Sequence, residues 1–357
     1  MKKLLALSLS LSLCTTLQLS AKEVQLGGDT IGIQITYDGV MITGTYTLEI
    51  DGMNYNPADQ DIRPKDLIQA VNGETVTTIK ELSRQLGLAA EHKEAELTIL
   101  RDGETIKRKL LIQMINSQIR TGLLIKDETL GIGTLTYIDE QTQTFASLGH
   151  EIIDADTKES IQADSGTIYE SQVQSIRKAK NAQAGEKNAK IDFEQPLGII
   201  TKVNRYGVFG EIVGSSSQPL IQTGTQQDIH LGEASIFTVL HDDVIEEIKI
   251  NITKINQQDN QDIKGIEFDV IDQHCIDVSN GIVQGMSGSP IVQDDLLVGA
   301  VTHVATSKPQ KGYGIFIEWL LMESENETTT STINDELCQF HSFFVQKQQK
   351  YENMYEF

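Results

Sequence analysis

Gly281-Ile282-Val283-Gln284-Gly285-Met286-Ser287-Gly288-Ser289-Pro290-Ile291-Val292 decides how the rest of the chain is read. Two apolar pairs, Ile282-Val283 and Ile291-Val292, flank a serine with glycine two residues before it and one after it. Glycine tolerates the φ angles of a tight turn and lets a carbonyl group approach the backbone closely. The spacing predicts strand, turn, strand. The backbone amides of Gly285 and Ser287 would then converge on one spot, where they could stabilise an oxyanion. A nucleophilic serine between a strand and a helix marks the α/β-hydrolase elbow. A strand on each side fits a β-barrel scaffold better.

A serine nucleophile needs a general base, and histidine titrates in the right range. His150 ends the apolar run Thr144-Phe145-Ala146-Ser147-Leu148-Gly149, 137 residues before Ser287. His303, in Gly299-Ala300-Val301-Thr302-His303-Val304, reads as a packed strand residue and is the second-choice base. A carboxylate usually orients the imidazole. Asp154, Asp156, Asp269, Asp272 and Asp277 lie nearest the two anchors, and residue pattern alone does not choose among them. Asp164-Ser165-Gly166 lacks the second glycine and the proline, so it reads as an ordinary turn. The neighbours His274 and Cys275 would not explain the turn around Ser287.

The chain has 357 residues, a length that suggests about two domains. Its formal net charge is −22, from 29 Lys+Arg against 51 Asp+Glu. That balance argues against a nucleic-acid partner, which would need clustered basic residues. It equally disfavours a polybasic membrane surface. Met1-Lys2-Lys3 followed by an apolar run to Leu19 and then Ser20-Ala21 has the form of a secretory signal. Residues 1–21 are therefore read as a signal peptide or a membrane anchor. Cys14, Cys275 and Cys338 leave only two cysteines once that segment is removed, so no disulfide framework is expected. No Cys/His spacing suggests a metal, and no cofactor is expected.

Residues 26–115 read as a small mixed domain. Ile31 to Ile35 alternates as a strand does. Asn72-Gly73 and Asp102-Gly103 are hairpin turns. Thr78 precedes a helical pattern with Ile79, Leu82, Leu86 and Ala89 on one face. This order resembles a PDZ domain of the type attached to bacterial proteases. Gly32 and Ile33 would then form the carboxylate-binding loop and the edge strand that a peptide joins. From residue 118 to 322, short strands recur with glycine-rich turns, as in a sandwich or barrel. Residues 323–357 read as a polar linker and a tail.

The motif Gly-Ile-Val-Gln-Gly-Met-Ser-Gly-Ser-Pro at 281–290 resembles the nucleophile motif of the stage IV sporulation protein B (SpoIVB) peptidase family. Gly299 to Val304, Gly312-Tyr313-Gly314-Ile315-Phe316-Ile317-Glu318-Trp319, Gly131-Ile132-Gly133-Thr134 and Leu148-Gly149-His150 are similar to other parts of that family, as are Gly185-Glu186-Lys187 and Gly207-Val208-Phe209-Gly210. The resemblance implies a mainly β protein, with a PDZ-like N-terminal domain followed by a chymotrypsin-like double β-barrel serine endopeptidase. By resemblance Ser287 is the nucleophile, His150 the base and Asp272, in Val270-Ile271-Asp272, the triad carboxylate. The family acts between mother cell and forespore. It processes itself and cleaves a regulator of an intramembrane metalloprotease, which releases late sigma-factor processing. A non-catalytic protein that captures peptides through the PDZ-like domain is the alternative function class. An α/β-hydrolase would require long helices between strands.

Overall fold

Strands make up most of the described chain, and their pairing closes two antiparallel rings. The computed structural model describes residues 22–325 apart from 51, 116–117, 162, 164, 181–182 and 214–217. The first ring starts with the N-terminal half of strand Thr30–Thr45. It passes through Leu123–Asp139, Thr144–Ser147, Gly207–Ile212, Glu186–Asn204 and Gly166–Arg177, and returns to Thr30–Thr45. The second runs through Gly232–His241, Val244–Ile255, Ile266–Val270, Lys308–Phe316, Leu296–Ala305 and Pro290–Gln293, and returns to Gly232–His241. Each ring is therefore a six-stranded barrel with its own apolar interior. Ile31, Ile33, Ile35, Phe145 and Ile168 fill the first. Ile236, Ile250, Phe268, Ile291 and Phe316 fill the second. Side chains alternate in and out along each strand, which is why the sequence shows apolar residues at every second position.

Strand Glu23–Leu26 joins the barrels by pairing with Leu123–Asp139 and with Leu220–Thr223. Helix Ile317–Glu325 closes the far side. Trp319 Nε1 donates to Gln258 Oε1 at 2.7 Å, and the Tyr137 and Ser324 hydroxyls lie 2.9 Å apart. Residues 323–325, expected to open the polar linker, are thus the last turn of a docked helix. The rest of the tail and residues 1–21 lie outside the described residues. Among the described residues no helix is long and apolar enough to cross a membrane.

The small module has a separate core, with Val40, Ile68, Leu82, Leu97 and Leu110 among its buried residues. Helix Ile79–Ala89 starts where the sequence indicates. Thr78 Oγ1 accepts from the Glu81 amide at 3.2 Å, and the Glu81 carboxylate accepts from the Thr78 amide at 3.3 Å. The capping box satisfies amides that a helix N-terminus otherwise leaves unpaired. Asn72-Gly73 and Asp102-Gly103 have positive φ at both positions, as a two-residue hairpin turn requires.

Two expectations are corrected here. The module is an insertion within the first barrel and does not precede it. Strand Thr30–Thr45 leaves the barrel for the module, Leu123–Asp139 returns, and the two stay paired from Thr30↔Thr134 to Thr45↔Leu123. Nor do Gly32 and Ile33 present a free edge. Gly32 pairs with Ile132 on one side and Tyr169 on the other, and Ile33 with Gly131 and Ile168. A peptide cannot add a strand where both edges are already hydrogen-bonded. A Cβ on Gly32 would also lie 2.6 Å from the Ile191 side chain.

Arg101 organises the module's polar interior. It donates to both carboxylate oxygens of Asp66, at 2.6 and 2.7 Å, and to Asp61 at 3.1 Å. The Asp66 side chain is 1% exposed. Removing its partner leaves a buried charge uncompensated, a larger penalty than the pair's net contribution. Arg101→Met should destabilise the module by about 3 kcal/mol or more, read by urea titration of the full chain. A loss below about 1 kcal/mol would mean that the ion pair is dispensable.

Candidate active site

The turn around Ser287 belongs to the second barrel but is held from the first. Thr134 and Thr136 lie on one face of strand Leu123–Asp139. Thr134 Oγ1 donates to the Gly285 carbonyl at 2.7 Å, and Thr136 Oγ1 to the Gly288 carbonyl at 2.8 Å. The Thr134 amide donates to the Ser287 carbonyl at 2.9 Å, and the Gly288 amide to the Val301 carbonyl at 2.8 Å. Gly288 has φ +92°, and a Cβ there would meet the Thr134 carbonyl oxygen at 2.0 Å. Only glycine permits this approach of the two barrels.

Peptide planarity then orients the two amides named from the sequence. A trans peptide points its C=O and N–H in opposite directions. The Gln284 carbonyl accepts from the Lys187 amide at 2.9 Å, so the Gly285 N–H points away from Lys187. The Met286 carbonyl accepts from the Ser289 amide at 3.0 Å, so the Ser287 N–H points away from Ser289. Among the described residues neither N–H has a backbone acceptor. Both remain available to a developing oxyanion.

His150 reaches this turn from the end of strand Thr144–Ser147. Leu148 and Gly149, both with φ of 73°, turn the chain toward the second barrel. His150 Nε2 lies 2.8 Å from Ser287 Oγ, and Nδ1 lies 2.6 Å from the Glu151 carbonyl oxygen. A carbonyl only accepts, so Nδ1 carries the proton. In the neutral ring Nε2 is then the acceptor and faces the serine hydroxyl. The backbone of Glu151 thus sets the tautomer that general-base catalysis needs. Ser287 Oγ has a second acceptor, the Thr302 carbonyl, at 3.1 Å. Both side chains are only partly buried, so the dyad is open to a substrate.

The structure brings Ser287, His150 and Gly285 together but does not bring Asp272 to them. Asp272 caps helix Gln273–Ser279 and accepts from the Cys275 amide at 2.9 Å. An aspartate preceding a helix is spent on its free amides. The other candidates are also engaged elsewhere. Asp154 and Asp156 pair with Lys126, Asp269 pairs with Lys308 at 3.0 Å, and Asp277 accepts from Gln273 at 2.8 Å. Asp164, in the Asp164-Ser165-Gly166 turn, lies outside the described residues.

His303, the second-choice base, is a neighbour of His150, with ring centroids 5.0 Å apart. Burial and the facing His150 push its imidazole down to about 4, so it forms a neutral wall. Cys275 is buried, and burial pushes its thiol up to about 11, so it is no nucleophile at neutral pH. Among the described residues no group of three His, Cys, Asp or Glu side chains is placed to hold a metal ion. Sequence reasoning missed Thr134, Thr136, the Glu151 carbonyl and Lys187.

The model of the SpoIVB peptidase S55 family matches residues 117–321, more than half of the chain. Comparison with curated proteins returns no match.

Two outcomes follow from this geometry. Asp272→Ala should cost about 1 kcal/mol of stability as a lost helix cap. Labelling of Ser287 by a fluorophosphonate should stay within about tenfold of wild type, whereas a triad carboxylate would cost about 10⁴-fold. Burial also lowers the His150 pKa from 6.5, partly opposed by its hydrogen bond to the Glu151 carbonyl. The active base is the neutral form, so it persists to lower pH than in a free histidine. The acid limb of labelling rate against pH should therefore lie below 6.5. An acid limb at or above that value would mean that burial does not depress the His150 pKa.

Proposed function

Because the chain belongs to the SpoIVB peptidase family, and is thereby a serine peptidase linked to sporulation, we propose that Ser287 and His150 are its catalytic dyad. The observation that carries this is the 2.8 Å contact between His150 Nε2 and Ser287 Oγ, made across the two barrels. Ser287 attacks a peptide carbonyl carbon while His150 accepts the hydroxyl proton. The amides of Gly285 and Ser287 stabilise the oxyanion of the tetrahedral intermediate. His150 returns the proton to the leaving amine, and water then hydrolyses the acyl-enzyme by the same route. The Glu151 carbonyl does the orienting that a carboxylate does in the Ser-His-Asp arrangement.

A peptidase acts on protein substrates. Family resemblance supports two for this chain: its own N-terminal region, and a membrane-associated regulator of an intramembrane metalloprotease. The reading places the protein outside the cytoplasmic membrane, between mother cell and forespore, held or delivered there by residues 1–21. The inserted module, with its PDZ-like order of elements, would supply substrate recognition through a surface other than Gly32 and Ile33.

The test is self-processing of the full chain, followed by intact mass and N-terminal sequencing. Wild type should yield specific fragments, and Ser287→Ala should lower their rate by about 10⁴-fold or more. Equal fragments from both proteins would remove Ser287 from the mechanism. No fragments and no fluorophosphonate labelling of wild type would leave a peptide-binding protein.

A further inference from the structure

Lys187 stands at the start of strand Glu186–Asn204, directly against the nucleophile turn. Its amide donates to the Gln284 carbonyl at 2.9 Å, and the Gln284 amide donates to the Gly185 carbonyl at 2.9 Å. The Lys187 main chain therefore fixes the Gln284–Gly285 peptide plane. Its side chain covers the same glycine. A Cβ built on Gly285 would lie 3.1–3.2 Å from Cβ, Cγ and Cδ of Lys187. The ammonium group ends between two hydroxyls, donating to Thr30 Oγ1 at 3.0 Å and to Thr238 Oγ1 at 2.8 Å. Thr30 belongs to the first barrel and Thr238 to the second. One side chain thus ties both barrels to the back of Gly285.

This is a costly way to fill space. The Lys187 residue is 2% exposed, and among the described residues no carboxylate pairs with it. A buried ammonium with only hydroxyl acceptors is strongly disfavoured, and burial pushes its pKa down to about 7. A methionine would fill a similar volume without that penalty. What lysine adds is a stem anchored at both ends, by the strand and by two directional hydrogen bonds. Gly285, at φ +94°, has no side chain to hold itself, so its amide direction depends on such a wall.

We propose that Lys187 is the positioning residue of the oxyanion site, holding the Gly285 amide toward the reacting carbonyl through its backbone and its anchored side chain. The assignment rests on the dyad reading above. It is tested on the full chain with an alkyl fluorophosphonate, whose phosphoryl oxygen occupies the oxyanion position. Lys187→Met keeps the stem and removes the anchor. The maximal labelling rate should fall about tenfold or more, the half-saturating probe concentration should stay within about twofold, and the thermal midpoint should hold or rise.

A triple variant, Lys187→Met with Thr30→Val and Thr238→Val, removes the stranded hydroxyls and should show the same rate loss. Labelling of Lys187→Met at the wild-type rate would overturn the inference. So would a rate loss that comes with a lower midpoint in both variants, or failure of both to fold, since each assigns Lys187 to the core alone. An unlabelled wild type would instead sink the dyad reading, and this inference with it.

Discussion

Two threonines on one strand of the first barrel hold the serine turn of the second, and the geometry of the site depends on them. Thr134 and Thr136 are two residues apart, so their side chains leave the strand on the same face. Their hydroxyls meet the carbonyls of Gly285 and Gly288, which bracket Ser287. Both threonines are fully buried, so a lost hydroxyl would leave a carbonyl without a partner. The same strand, Leu123–Asp139, pairs with Thr144–Ser147, whose end delivers His150. Ser287 and His150 are therefore placed by reference to one backbone segment, although they come from different barrels. A dyad split between two barrels needs such a common reference, because drift of about an ångström between them would open the hydrogen bond that makes the serine reactive.

That strand also continues out of the barrel as one side of the ribbon leading to the inserted module. The ribbon's register shifts between Lys126 and Glu128, where barrel gives way to module, and again between Leu124 and Ile125, inside the module. Bulges of this kind bend a strand without ending its pairing. The module is therefore joined to the catalytic body by a hydrogen-bonded ladder on two strands. A single flexible linker would leave its orientation free; a ladder restricts it. Any surface of the module that takes part in the proposed substrate recognition is held at a restricted angle to Ser287 and His150.

What could be read from the sequence was local. The turn around Ser287, the Thr78 cap and the Asn-Gly and Asp-Gly hairpins each rest on residues within a few positions of one another; the strand expected at Ile282-Val283 is instead an irregular segment after helix Gln273–Ser279, and only the strand after the turn forms. What could not be read was the identity of neighbours. Ile31 to Ile35 alternates as any half-buried strand does, and alternation does not say whether the edges are free; the PDZ resemblance puts Gly32 and Ile33 in a groove, whereas they lie on an interior barrel strand. Family resemblance points to Asp272, although an aspartate three residues before Cys275 at a helix start also reads as a cap. Thr134 and Thr136 reach across 151 and 152 residues, and no periodicity encodes a contact of that span. Lys187 stands in the family-like stretch Gly185-Glu186-Lys187 with no role attached, and only the closed barrels show that it is buried.

The Glu151 carbonyl changes the energetics of the base more than its logic. It fixes the tautomer as firmly as a carboxylate would, because either group only accepts from Nδ1. It stabilises the imidazolium less, since it carries a partial and not a full negative charge, and burial disfavours the charged ring further. The compensation must come from the other charge that appears in the same step. As His150 becomes positive the oxyanion becomes negative, a short distance away and between two apolar barrels where the effective dielectric is low. The attraction between them is strongest when the oxyanion is held still by the amides of Gly285 and Ser287. In the proposed mechanism a dyad without a carboxylate leans on its oxyanion site, and the rigidity of the Gly285 peptide then matters more than it would beside a full triad.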